Sequence, residues 1–409
     1  MTIDRASNSS RGEKHPALSR GTTQTGVRLY NERLVLSLIR LHGQLPKAEV
    51  AKLTGLSAQT VSVIVRQLEA DGLLKRRTPQ RGKVGQPLVP FELDPDGAYA
   101  IGLKVGRRSG DLMLLDLAGE VRRTIHKPYS FPTPGELIAF VTSGVEDLVS
   151  DLSAPQRLRI SGLGIAAPFE LWNWEDEVGA RHDVLASWKD FDLAGEIGKL
   201  FDWPVYFCND ASAACAAELL FGKGRELRDY AYFYLGYFIG GGVVLNGSLY
   251  LGHTGNAGAL GSFPVTSPDG KPVQLISIAS FNVLERAILK SGGDPEALWR
   301  DPNDWSGVGA PLDDWIHAAA PGIASAAAGV MSVLDCAAVV IDGAMPKNLR
   351  GRLVDAVRSA ILQVNMQGIS PFPVIEGTIG ADARAMGAAS LPLFDNFIIN
   401  RNVLFKEQD

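Results

Sequence analysis

Ser57, Gln59, Thr60, Ser62 and Arg66 fall on one face of a single predicted helix. Their groups are the ones that read base-pair edges. A Gln amide pairs with adenine, a guanidinium pairs with guanine or with a phosphate, and hydroxyls serve either. Ser57 and Thr60 stand at the helix N-terminus, where the helix dipole favours a phosphate. Shortly after them Arg76, Arg77, Arg81 and Lys83 form a basic stretch suited to phosphate or minor-groove contacts. Residue types and spacing together imply entry into the major groove of double-stranded DNA.

The elements that must position these groups are legible around them. Pro46 to Leu74 reads PKAEVAKLTGLSAQTVSVIVRQLEADGLL. A short helix over Ala48 to Leu53 leads into the turn Gly55-Leu56-Ser57. Gly55 supplies a permissive backbone there, and Ser57 caps the next helix. Val61, Ile64, Val65 and Leu68 recur at i, i+3, i+4 and i+7, an apolar stripe that turns the polar face outward. Gly72 ends the helix and a basic, hairpin-like wing follows. With a preceding helix over Val27 to Leu41, this makes a winged helix-turn-helix over residues 27–93, and residues 1–26 read as a disordered, weakly basic arm. Asp94-Pro95-Asp96-Gly97 reads as a turn and a hinge.

Charge follows the same division. Residues 1–90 hold 15 Lys/Arg against 6 Asp/Glu, whereas the remaining 319 hold 25 against 39. One end is built to approach a polyanion and the rest is not. Cys208, Cys215 and Cys336 are too few and too scattered for a disulfide framework. The most apolar stretch, Ala318 to Val340, is broken by Pro321, Gly322, Gly329 and Asp335, and reads as a buried helix rather than a membrane span. The expected location is cytoplasmic.

From Ala98 the texture becomes α/β. Three strands, AYAIGLKVG, DLMLLDLAGE and VRRTIHKPYSF, precede helix, strand RISGLGIAAP, an irregular stretch over 169–188, helix, strand and the Ala-rich helix Asp210 to Phe221. A second strand triplet begins at Tyr230 and is again followed by helix-strand-helix-strand-helix. Two similar α/β lobes, 98–225 and 226–409, with a ligand-binding cleft between them, are the expected architecture; lobe 1 can also take back the C-terminal helix.

The order of these segments resembles the ROK family (repressors, open reading frames and sugar kinases) in its DNA-binding NagC/XylR-type repressor branch. The resemblance rests on LSAQTVSVIVRQLEADGLL, RGKVGQP, AIGLKVGRRSGDLMLLDLAGEV, GLGIAAP, CNDASAACAAELLFG, YLGYFIGGGVVLNGSLYLGHTGNAGALG and GADARAMGAASL. It implies two lobes of the sugar-kinase, Hsp70 and actin type behind the winged helix-turn-helix. It also implies a ligand site at Asn209-Asp210, where the family carries its catalytic base. A carboxylate there can accept a sugar hydroxyl's proton, hydrogen-bond two hydroxyls, or cap the helix that starts after it.

The departures from the family pattern bear on function. The family's phosphate loop, Asp-x-Gly-Gly-Thr, reads here Lys104-Val105-Gly106-Arg107-Arg108-Ser109, without the acid or the Gly-Thr pair. Gly240-Gly241-Gly242 matches the family's second Gly-rich loop, where a nucleotide could bind, and reads more simply as a tight strand turn. Family sugar contacts are replaced at Val184, Ala259, Ser262 and Ile276, and the family's cysteine-rich zinc loop is missing. The side chains left to line the site are Asn209, Asp210, His182, Asp183, Trp188, Asn256 and Ser262. In the wing, Gln86 stands where the family usually has Arg. The expectation is a non-catalytic regulator, a repressor, acting as a homodimer or homotetramer on a DNA operator. It would sense a small hydroxylated metabolite, a sugar or polyol, without cofactor or metal. The alternatives are a carbohydrate kinase using Asp210 as base, and a regulator without an effector.

Overall fold

The computed structural model describes residues 23–79, 88–168 and 187–399. The first helix, α1 (Gln24–His42), starts where Thr23 Oγ1 accepts the Gly26 N–H at 2.9 Å. It begins slightly ahead of the sequence expectation. After β1 (Gln44–Pro46) come α2 (Lys47–Thr54) and α3 (Ala58–Ala70). Gly55 between them takes φ +71°, in the left-handed region that favours glycine. The antiparallel strands β2 (Leu74–Arg76) and β3 (Pro90–Leu93) complete a small sheet of order β1-β3-β2.

Lobe 1 is a five-stranded sheet. Its strands are β4 (Tyr99–Val105), β5 (Ser109–Asp116), β6 (Val121–Pro128), β7 (Ile160–Ala167) and β8 (Val205–Asn209), in the order β6-β5-β4-β7-β8. One face is packed by α4 (Pro134–Leu148), which buries Leu137, Phe140, Val141 and Val145 against Ile101, Leu103 and Leu112. On the other side lie two helices packed on each other, Asp210–Phe221 and Ala383–Phe397; the second covers the sheet and the first wedges between it and lobe 2. The run of small residues in the second of these follows from contact distance. A Cβ on Gly164 would lie 1.9 Å from Ala388 O, one on Gly102 2.4 Å from Ala385 O, and one on Gly387 1.8 Å from Ala213 O.

Lobe 2 repeats the topology. It contains β9 (Tyr230–Leu235), β10 (Gly240–Leu245), β11 (Ser248–Tyr250), β14 (Ala338–Gly343) and β15 (Val374–Glu376), in the order β11-β10-β9-β14-β15. A hairpin of β12 (Pro264–Thr266) and β13 (Pro272–Gln274) stands apart. The helix Ala310–Leu334 is long and apolar enough to cross a membrane by length and composition, but it lies in the lobe 2 core, with Trp315, Ile316, Ile323 and Met331 buried. Gly240 to Gly242 lie within strand β10 rather than in a turn. Their small size admits the helix Asp210–Phe221: a Cβ on Gly240 would meet Ala211 Cβ at 2.7 Å, and one on Gly242 would meet Cys215 Cβ at 2.5 Å.

The winged helix is not a separate bead. Val35, Leu36 and Ile39 of α1 share one core with Ala100, Met113, Leu115 and Leu117 of lobe 1 and with Ala389 and Leu393 of the C-terminal helix. Arg40 reaches across and donates through Nη2 to Leu117 O at 2.7 Å, and Ile399 N donates to Ser37 Oγ at 3.1 Å. Asp94 to Gly97, expected as a hinge, forms a pinned single turn. Tyr99 and Arg122 bond the Asp96 carboxylate, and Arg159 Nη1 donates to the Asp96 carbonyl.

Candidate nucleic-acid interface and inter-lobe site

Along α3 the apolar residues Val61, Ile64, Val65 and Leu68 are buried, so the opposite face is presented outward. Ser57 Oγ accepts the Thr60 N–H at 3.1 Å and lies 2.8 Å from Thr60 Oγ1, so both hydroxyls take part in the cap. Gln59 is exposed at the first turn. Ser62 Oγ sits 3.5 Å from Lys47 Nζ of α2, and Arg66 Nε donates to Ser62 O at 3.2 Å. Lys47 and the exposed Val63 also lie here, and sequence reasoning did not single them out.

Arg76, the last residue of β2, and Arg77 after it are both ion-paired. Arg76 is held by Glu69, with Nη2 to Oε2 at 2.9 Å, and Arg77 by Glu92 at 2.5 Å. A phosphate at either must compete with a carboxylate already in place. Arg81, Lys83 and Gln86 lie outside the described residues.

Between the lobes, Asn209 and Asp210 divide the roles left open by the sequence. Asn209 Oδ1 accepts the N–H groups of Ala211 at 3.0 Å and Ser212 at 3.4 Å, so Asn209 is the helix cap and its oxygen is spent. The Asp210 carboxylate is left to meet Arg384 Nη1 at 3.3 Å, from the first turn of the C-terminal helix. Arg384 also lies 5.4 Å from the Tyr234 ring centroid. Burial alone would lower its pKa, but Tyr234, Asp210 and Asp111 outweigh burial and hold the guanidinium above its ordinary value.

Beside this pair is a second one. Lys104 is buried, and its ammonium donates to Asp111 Oδ2 at 2.6 Å and to Ser109 Oγ at 2.8 Å, while His126 Nδ1 meets the other Asp111 oxygen. Burial and the neighbouring Arg384 pull the Lys104 pKa down. Asp382, partly enclosed, is pushed up by burial and by Asp111. These groups place donors and acceptors side by side, the requirement for binding a hydroxylated molecule.

One expectation for the site is corrected. Trp188 is 3% exposed; its Nε1 donates to Pro132 O at 2.9 Å and its ring meets Phe191 edge-on, so it belongs to the lobe 1 core. Asn256 is exposed in the loop after β11 and Ser262 is exposed at the end of the single turn Leu260–Ser262, and no hydrogen bond joins either to Asp210 among the described residues. His182, Asp183 and Val184 lie outside those residues.

The loop at the position of the family's phosphate loop crosses between the lobes. Arg108 forms ion pairs at 2.5 Å with both Glu285 and Glu296 and lies against Trp299, and Arg107 stacks 4.3 Å over Tyr237. All four partners belong to lobe 2.

Residues 100–275 match the model of the ROK family, and residues 30–83 match that of the MarR family. The chain is 26% identical over 372 residues to the uncharacterized protein y4fQ of Sinorhizobium fredii, spanning 90% of this chain and 91% of that one. It is 24% identical over 243 residues to the xylose repressor of Bacillus subtilis, spanning 59% of this chain and 62% of the repressor. It is 22% identical over 240 residues to the Escherichia coli DNA-binding transcriptional dual regulator NagC, spanning 58% of each. The matches to the xylose repressor and NagC thus span less than two thirds of those relatives. Among solved structures, a ROK family transcriptional regulator described as a homolog of the E. coli MLC protein superposes with a TM-score of 0.64 at 20% identity, covering 92% of this chain and 99% of that one. The ROK hexokinase of Thermus thermophilus superposes with 0.53 at 22% identity, covering 71% and 96%. At these identities the structural likeness is one of fold.

Proposed function

On the matches of residues 100–275 to the ROK family model and of residues 30–83 to the MarR family model, we propose that this chain is a ROK-type DNA-binding transcriptional regulator, a repressor, whose lobes sense a small hydroxylated metabolite. The observation that carries the reading is the outward polar face of α3 on a winged helix that shares a core with lobe 1. Such a face suits the major groove, and the shared core gives the lobes a means of acting on it.

Coupling runs through the helix Ala383–Phe397. Its first turn carries Arg384 against Asp210, and Leu393 toward its far end packs with α1. A sugar or polyol bound at Asp210 changes what Arg384 holds, and the same rigid helix meets the winged domain. The effector acts only by its differential affinity for two arrangements of these elements. In a homodimer that difference would alter the spacing of two α3 helices and so the fit to a two-fold operator.

A sugar-kinase reading has one observation in its favour, the carboxylate of Asp210 at the position of the family's base. Against it, phosphoryl transfer depends on positioning and charge stabilisation at the phosphates. Here that position is taken by Lys104, bonded to Asp111, by Arg108, paired with Glu285 and Glu296, and by Arg107, stacked over Tyr237. The deciding experiment pairs two assays on the full chain: selection of bound duplexes from a random pool, and ATP turnover with common hexoses. Enrichment of a two-fold sequence without turnover supports the regulator. Turnover above background without enrichment supports the kinase.

A further inference from the structure

Val63 stands at the middle of the outward face of α3 and is 54% exposed, while Val61, Ile64, Val65 and Leu68 fill the core beneath it. It belongs to none of the apolar clusters of the winged helix. A β-branched residue at an exposed helix position lowers helix propensity and leaves apolar surface in water. Several polar groups around it are engaged. Ser57 and Thr60 serve the cap, Gln67 Nε2 donates to Asp71 at 2.9 Å, and Arg66 Nε donates to Ser62 O. Gln59 lies one turn before Val63 on the same face and Arg66 one turn after it.

We propose that Val63 is a specificity-determining residue that packs against the 5-methyl group of a thymine. That methyl is the one apolar feature a base pair presents in the major groove, and an aliphatic side chain is its natural partner. Four residues of helix advance about 6 Å. The thymine therefore lies within about two base pairs of the pair addressed by Gln59, at roughly 3.4 Å of rise per base pair. The inference rests on the DNA-binding reading and deepens it by naming a base that one residue selects.

The test uses the full chain and the duplex enriched by selection, resynthesised with deoxyuridine in place of one thymine at a time, which removes only the methyl. For the parent protein, one thymine in each half-site should prove sensitive, its replacement weakening binding roughly three- to fivefold, the worth of one buried methyl. Val63→Ala should bind the unmodified duplex more weakly by a similar factor and be indifferent to uracil at that position alone. Alanine at an exposed helix position is well tolerated, so a lost response is not lost folding. Uracil tolerated at every position by the parent, or the same uracil sensitivity in Val63→Ala, would overturn the assignment of Val63. Failure to enrich any sequence would instead overturn the DNA-binding reading beneath it.

Discussion

At the scale of single residues, the charged groups between the lobes are a set of pairs, and each pair makes its members sensitive to loss of the partner. Asp111 is the clearest case. Burial would raise its carboxyl, but Lys104 and His126 outweigh burial and hold it below its ordinary value near 3.8. A depressed carboxyl contributes stability above its unfolded value, and the contribution is lost as pH falls through the folded one. Asp111→Asn should therefore cost about 3 kcal/mol at neutral pH, because it strands the buried Lys104. Urea unfolding from pH 7 downward should show the gap between parent and variant closing below about pH 3.8; a gap constant with pH would refute the pairing. The three strands that carry this row were legible, but the register that sets Asp111 between Lys104 and His126 was not. Arg384 was not legible. It lies 174 residues from Asp210, and only the return of the C-terminal helix brings the two together. Trp188 misled for the converse reason: an indole in an irregular stretch reads equally as pocket wall or core, and the acceptor that decides, Pro132 O, is distant in sequence.

At the scale of elements, α3 was the most legible because cap, stripe and terminator all fall within one local window. The recognition role proposed for it makes Gln59 the polar residue to test. Gln59→Ala should relax the preference at one base pair by ~1–3 kcal/mol while leaving preferences elsewhere intact, as read by competition among single-base variants of the selected duplex. Unchanged affinity for the parent sequence would show this face to be wrongly assigned. The two strand triplets were legible from alternation and turns, and they form sheets of matching order. The glycines of β10 were misread as a turn because the sequence does not reveal the helix lying on them. The arginine loop between β4 and β5 makes its own prediction. A double-mutant cycle between Arg108→Ala and Glu285→Ala should give a coupling of about 1–2 kcal/mol in unfolding free energy, since one group lies in each lobe and both are mostly enclosed. A coupling near zero would mean that the loop does not tie the lobes together.

At the scale of the whole molecule, the sequence division into a basic winged helix and an acidic two-lobed body is real in charge but not in packing. Nothing in the local pattern of α1 shows that Val35, Leu36 and Ile39 meet Leu115, Leu117 and Leu393. Burial of Arg40 between the two parts, over Phe221, pulls its guanidinium down to about 10. The winged helix and lobe 1 should consequently unfold together. Ile39→Ala, at a fully buried position, should cost about 2–5 kcal/mol and lower one shared calorimetric transition, whereas a separate early transition would mark an independent domain.

That packing is what would let an event at Asp210 be felt at α3, and the most direct test is operator affinity measured with and without ligand. The full chain is titrated onto the selected duplex, followed by fluorescence anisotropy, against a panel of sugars, deoxy sugars and polyols. At least one hydroxylated compound should shift the dissociation constant by about fivefold or more, within the range of allosteric couplings. Asp210→Ala should lose the shift, whatever the loss of Arg384's partner does to the affinity for the ligand-free duplex. An Asp210→Ala variant that still responds at the parent's ligand concentration, or a parent that responds to no compound, would contradict the account.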